Sequence, residues 1–313
     1  ALYQFRDCVP GPLWTMARTG MTPFRRRLIC CAALFTVIFY IPGPATADEM
    51  QVTFPSLNGD TLQAIYLPPT SAPPAPAIII MHGCGGLLTK SGKIKSRERA
   101  WLALFQAEGW AVLLPDSFGS RGQTGSQCKI KNRVANENDL RPLDAAGARH
   151  FLSTRAEIDA KRIVLAGWSN GAMSTLYAIR DGSPAASAPG APDFRAALMF
   201  YPGCSVINKT FPDYRSRIPA LIQHGAADDW TLAAPCNDLV RMANRGGGAL
   251  IEIDTYDDAY HNFDHPTARV HEVETRSSSS AMGLRTVHTG GNPEARAKAI
   301  TRTMAWLRAR LSQ

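Results

Sequence analysis

Residues 77–81 read AIIIM, a run with no polar side chain to set on a wet face, and 110–115 (WAVLLP), 162–166 (RIVLA), 196–201 (AALMFY) and 219–223 (PALIQ) repeat almost wholly apolar character. A strand that buries both faces belongs in a parallel sheet covered by helices on either side. The intervening segments have helical character: 97–108, with Gly109 just past its end, and 139–154. A further strand is expected at 249–253 and a closing helix at 294–311, where Ala297, Ile300, Met304, Leu307 and Leu311 recur at three- and four-residue spacing. The pattern predicts an α/β fold with a mostly parallel sheet and helices on both faces. With 313 residues, 45% of them hydrophobic, the chain has enough apolar surface for a large core.

A hairpin is expected first, from 51–54 and 61–67 around Asn58-Gly59-Asp60, followed by a Pro/Ala-rich spacer at 69–76. Upstream, Met21 opens MTPFRRRLICCAALFTVIFYIPGPATA: three arginines, an apolar run over 28–41, then small residues up to Ala47. That order is that of a secretory signal, with cleavage expected after Ala47 and export to the periplasm or the medium. The run is shorter than the roughly 20 residues a bilayer span needs, so no stable membrane association is expected after cleavage. Residues 1–47 are therefore set apart as upstream sequence and signal, and 48–313 read as one domain. Beyond residue 47 there remain 29 basic against 25 acidic residues, without a basic run, which argues against a nucleic-acid partner. Irregular stretches are expected at 117–137, 183–193 and 264–292.

Gly167-Trp168-Ser169-Asn170-Gly171 follows the RIVLA run and precedes a helix-like stretch at 172–180. A G-x-S-x-G between strand and helix is the setting of a nucleophile elbow. Small residues at 167 and 171 relieve crowding at the tight turn, and the helix start offers free N–H groups to a developing negative charge. A serine hydroxyl needs a base, and the base needs an acid that fixes its tautomer.

His261 follows the stretch ALIEIDTYDDAY and is the expected base by chain order. His82 and His224 stand at strand ends before glycine and are expected to position loops, and His150 lies in a helix. His265, four residues from His261, has no further ligand motif beside it, so no metal site is expected. In Gly225-Ala226-Ala227-Asp228-Asp229-Trp230 either carboxylate could face the histidine. The oxyanion hole is assigned to the backbone amides of Asn170 and, in His82-Gly83-Cys84-Gly85-Gly86, of Cys84. Arg121 is a candidate for binding a substrate carboxylate, and Trp168 and Trp230 for lining an acyl pocket. Cys84, Cys128, Cys204 and Cys236 remain after the signal; an oxidising compartment permits disulfides, and all three pairings stay open.

HGCGG at 82–86, PDSFGSRG at 115–122, GWSNG at 167–171, HGAADDW at 224–230 and AYHNFD at 259–264 occur in an order that resembles the dienelactone hydrolase family of α/β-hydrolases, over roughly residues 52–311. The resemblance implies Asp228 as the acid, His261 as the base, and hydrolysis of a small-molecule ester or lactone without a cofactor. The chain departs from the founding enzymes, which are cytoplasmic and use cysteine where Ser169 stands, and a general carboxylesterase activity is expected. Two other readings keep the fold: a non-catalytic binding protein, and an acyltransferase that uses the same Ser/Asp/His set.

Overall fold

Alternate side chains of each central strand point to opposite layers, and the composition of those layers explains the architecture. The computed structural model describes residues 47–187, 190–245, 247, 249–276 and 283–312. The expected secretory segment at 21–47 lies outside them except for Ala47. Among the described residues no helix is long and apolar enough to cross a membrane.

The elements run β1 (Met50–Pro55), β2 (Thr61–Leu67), β3 (Ala75–Met81), α1 (Ser96–Ala107), β4 (Ala111–Pro115), α2 (Leu140–Ser153), β5 (Ile158–Trp168), α3 (Asn170–Ile179), β6 (Ala196–Phe200) and α4 (Ser205–Thr210). They continue with β7 (Ala220–Gly225), α5 (Ala233–Arg245), β8 (Ile251–Tyr256), β9 (His271–Thr275), β10 (Arg285–Thr289) and α6 (Pro293–Leu311). Eight strands form one sheet in the order β1-β2-β4-β3-β5-β6-β7-β8. The β1–β2 and β2–β4 pairings are antiparallel and the remaining ones parallel. This is the α/β-hydrolase fold.

Ile79, Met81, Leu165 and Met199 face a layer built with α2, α3 and α5, whereas Ile78, Ile80, Val164 and Phe200 face one built with α1 and α6. Ile78, Ile79 and Ile80 are all fully buried, so both faces of β3 are core. Truncating any one of them to Ala would cost about 2–5 kcal/mol. The closing helix α6 begins with Pro293 after Asn292, whose side chain accepts from the Ala295 amide at 3.1 Å. Its buried stripe takes in Ala295 and Ala299, whereas Ala297 is exposed.

Several boundaries differ from expectation, among them the start of β5, which lies at Ile158 and not at 162. β3 begins at Ala75, inside the Pro/Ala-rich segment, because Ala75 pairs with Ile158. β8 starts two residues later than 249 and runs on through Asp254 and Thr255; it is an edge strand, where polar side chains are tolerated, and Gln223 Nε2 donates to Asp254 Oδ2 at 3.0 Å. Within 264–292, expected to be irregular, β9 and β10 form a separate antiparallel pair centred on Val273 opposite Val287.

Candidate active site

Ser169, Asp228 and His261 follow β5, β7 and β8, so the parallel sheet delivers all three to its carboxyl edge, where open α/β sheets place their ligand crevice. Ser169 sits between β5 and α3 with φ 53° and ψ −114°, a conformation that a non-glycine residue holds only when its surroundings enforce it. The enforcement is steric. A β-carbon on Gly167 would stand 2.4 Å from the Gly171 carbonyl oxygen, and one on Gly171 would stand 2.0 Å from that of Met81. The elbow is therefore pressed directly against the end of β3.

His261 Nε2 lies 2.9 Å from Ser169 Oγ, and His261 Nδ1 lies 2.8 Å from Asp228 Oδ2. All three side chains are buried, with Ser169 8% exposed at the floor of a cleft of about 300 Å³. With the proton on Nδ1 donated to Asp228, Nε2 is free to accept from the serine hydroxyl. Burial works against the charge on Asp228, but the His261 imidazole, both as a charge and as a hydrogen-bond donor, holds its carboxyl below the usual carboxylate value. The amides of Trp230 and Thr231 donate to Asp228 Oδ1 at 2.9 and 2.8 Å and fix the carboxylate's plane.

The loop 82–86 passes beside Ser169: a β-carbon on Gly83 would stand 3.7 Å from that of Ser169. Cys84 lines the same cleft, and the Asn170 amide belongs to the first turn of α3, whose N–H groups have no partner within the helix. Arg141 ties these two supports together. Its guanidinium, fully buried in α2, donates to the His82 carbonyl at 2.7 Å and to the Asn170 side-chain oxygen. Asn170 in turn donates to Glu137 Oε2 at 2.9 Å. Burial pushes the Arg141 pKa down to about 10, and the group still carries its charge at neutral pH.

Two candidates from the sequence are placed elsewhere. Arg121 is held by Asp144, through both terminal nitrogens at 2.9 and 2.8 Å, and by Asp60 at 2.8 Å. A guanidinium engaged by two carboxylates and outside the Ser169 cleft clamps the loop after β4 and is not offered to a substrate. Trp168 is 1% exposed, stacks on Phe200 at 5.2 Å and donates its indole N–H to Asp264 at 2.7 Å; it anchors the elbow from the core side. Trp230, by contrast, lines the cleft with its ring centroid 4.5 Å from that of His261.

His82 and His224 are buried beside backbone carbonyls, His82 Nδ1 at 2.9 Å from Gly83 O and His224 Nδ1 at 3.2 Å from Gly225 O, and burial pushes both below the usual histidine value. His265 is engaged locally, with Nδ1 accepting from the Ala268 amide at 2.9 Å. Among the described residues no group of three or more His, Cys, Asp or Glu is arranged to hold a metal ion. The cysteines pair as Cys84–Cys128 and Cys204–Cys236.

Thr231 also belongs to the site, although no sequence motif marks it. Its hydroxyl lies 3.0 Å from Asp228 Oδ2, 3.1 Å from His261 Nδ1 and 3.1 Å from the Tyr201 carbonyl. The available signal was its position three residues after Asp228, where a hydroxyl side chain closes a local turn. Arg141 was signalled only by being a charged residue in an alanine-rich helix.

The dienelactone hydrolase family matches over residues 62–311, most of the chain and a span that holds Ser169, Asp228 and His261. The chain belongs to the dienelactone hydrolase family. No curated protein matches its sequence. Among solved structures, this family member is similar to a dienelactone hydrolase-like promiscuous phosphotriesterase from metagenomic libraries, at 16% identity over 85% of this chain and 99% of the other, with a TM-score of 0.60. It is also similar to the Thermogutta terrifontis esterase 2 phosphorylated by paraoxon, at 17% identity over 86% and 96%, with a TM-score of 0.58. The Pyrococcus horikoshii acylaminoacyl peptidase shares 16% identity over 85% of this chain and 42% of its own, with a TM-score of 0.60. At such identities the likeness is one of fold.

Proposed function

We propose that this dienelactone hydrolase family member, a carboxylic ester hydrolase, is an exported serine enzyme that cleaves ester or lactone bonds through an acyl-enzyme on Ser169. The observation that carries the reading is the unbroken chain from Ser169 Oγ to His261 Nε2 at 2.9 Å and from His261 Nδ1 to Asp228 Oδ2 at 2.8 Å, opening on a cleft.

Ser169 Oγ attacks the carbonyl carbon while its proton passes to His261 Nε2, and Asp228 stabilises the imidazolium. The carbonyl oxygen, now an oxyanion, is held by the amides of Cys84 and Asn170, which stand ready before the charge develops. Collapse of the tetrahedral intermediate breaks the bond to the alkoxy oxygen, which leaves with the proton from His261. Water then attacks the acyl-enzyme by the same path in reverse, returning the free acid and the serine. Every group in these steps belongs to the chain, the substrate or water. Export rests on the Met21–Ala47 pattern, and two disulfides among four cysteines support it.

A cleft of about 300 Å³ lined by the Cys84–Cys128 pair and Trp230 favours small acyl groups. Turnover of p-nitrophenyl esters from acetyl to dodecanoyl, beside simple lactones, tests the reading. The expected result is hydrolysis strongest for the short acyl chains and lost in Ser169→Ala. Absence of turnover above the Ser169→Ala background across the panel would refute it.

A further inference from the structure

Asp264 is fully buried, three residues beyond His261, and stands outside the proton path. Its Oδ2 accepts from the indole N–H of Trp168 and of Trp101, each at 2.7 Å, and its Oδ1 accepts from the Tyr201 hydroxyl at 2.5 Å. Trp168 immediately precedes the nucleophile. The Tyr201 ring lies against the base, with centroids 4.5 Å apart. One carboxylate therefore grips both the elbow and the aromatic wall on which the imidazole rests.

Tyr201 shows how tightly this grip is set. Its φ is 40°, in the region L side chains avoid, a conformation that survives only where contacts over-determine it. Those contacts come from both ends: Thr231 Oγ1, which also touches Asp228 and His261, donates to the Tyr201 carbonyl at 3.1 Å, and Asp264 holds the hydroxyl. Burial raises the phenol well above its ordinary pKa, so it remains a donor. Arg97 adds a bond to the Tyr201 hydroxyl at 3.3 Å and one to Asn262, the residue after His261, at 2.8 Å. A buried carboxylate is costly unless its partners converge on it, and here three donors do.

We propose that Asp264 is a positioning residue that, through Tyr201 and Trp168, holds the His261 imidazole and the Ser169 hydroxyl in reacting register. The inference rests on the reading of Ser169 and His261 as nucleophile and base. A misplacement of about 1 Å at the reacting atoms is enough to slow the chemical step by up to about 100-fold.

The test compares the full chain with Asp264→Asn, Tyr201→Phe, their double variant and Trp101→Phe, using steady-state ester hydrolysis and the rate of fluorophosphonate labelling. Asp264→Asn and Tyr201→Phe are expected to lower kcat by about 10- to 100-fold with KM held within about twofold. The double variant is expected to be no worse than Asp264→Asn by more than about threefold, because both act along one path. Trp101→Phe removes one donor from the same carboxylate but keeps an aromatic ring against Trp168, whose centroid lies 5.6 Å from that of Trp101, and leaves the Trp168 and Tyr201 bonds that reach elbow and base; it is expected to keep kcat within about threefold. If Asp264→Asn fails to fold, Tyr201→Phe against Trp101→Phe decides the matter. Unchanged kcat in Tyr201→Phe, or an equal loss in Trp101→Phe, would overturn the proposal while leaving the esterase reading intact. An unvaried chain that neither labels nor turns over would overturn both.

Discussion

Cys84 is bonded to Cys128 across 44 residues of chain, and both cysteines line the cleft that holds Ser169. The bridge joins the loop that supplies a proposed oxyanion amide to the 117–139 loop, whose residue 128 carbonyl also accepts from Thr275 at the end of β9. Cys128→Ser keeps the Cys84 amide in the sequence but releases its tether. The expected outcome is a stability loss of about 2–4 kcal/mol together with a fall in kcat of about tenfold or more. Denaturant titration and ester kinetics on the same preparation check this; a stability loss with kcat unchanged would show that the bridge plays no part in aligning the loop.

Asp228 and Asp229 are adjacent carboxylates with separate tasks. Asp229 accepts from the His288 amide at 2.9 Å and pairs with its Nδ1 at 2.8 Å, fastening β10 near the site, whereas Asp228 faces His261. Asp228→Asn is expected to lower kcat by about 10⁴-fold, the order seen when the triad acid is lost, and Asp229→Asn to keep it within about threefold. The reverse ranking in kcat would show that the acid has been misassigned.

Gly171→Ala places a methyl group 2.0 Å from the Met81 carbonyl oxygen and 2.7 Å from that of His82, both rigid backbone atoms. Neither α3 nor β3 has room to retreat, so a destabilisation of about 3 kcal/mol or more is expected. Urea unfolding measures it, and a loss under about 1 kcal/mol would mean the elbow is looser than described.

The depressed pKa of Asp228 links the site to acid stability. Its unfolded value is about 3.9 and its folded value is lower, so the group contributes stability that is fully present above about pH 5 and fades as pH falls through the folded value. The stability gap between the unvaried chain and Asp228→Asn is therefore expected to be level from about pH 5 to pH 7 and to narrow below about pH 4. Thermal unfolding across that range checks the sign; a gap that widens with acid would contradict it.

The legible part of this molecule was the part with periodicity or with a forced spacing. AIIIM and RIVLA each lie in a strand buried on both faces, and GWSNG occupies the bend between strand and helix. The β9–β10 pair was not legible because HEVET and RTVHT offer one buried valine between them, Val287, too little for an alternating pattern. Disulfide pairing depends on which loops the sheet order brings together, and four cysteines carry no trace of that order. Arg121 and Trp168 were visible as residues while their partners were not: Asp144 and Asp264 lie 23 and 96 positions away and turn a candidate substrate contact into a clamp and an anchor. Thr231 and Arg141 have the same origin, since a hydroxyl or a guanidinium takes its role from whatever the fold sets beside it.

Mass mapping after treatment with a fluorophosphonate probe tests the central claim most directly, because the reagent reports which side chain attacks. The expected result is a single phosphonyl adduct on the peptide carrying Ser169, formed rapidly in the unvaried chain, slowed by several orders of magnitude in His261→Ala and absent in Ser169→Ala. An adduct on another residue, or labelling of Ser169 at an undiminished rate without His261, would contradict it.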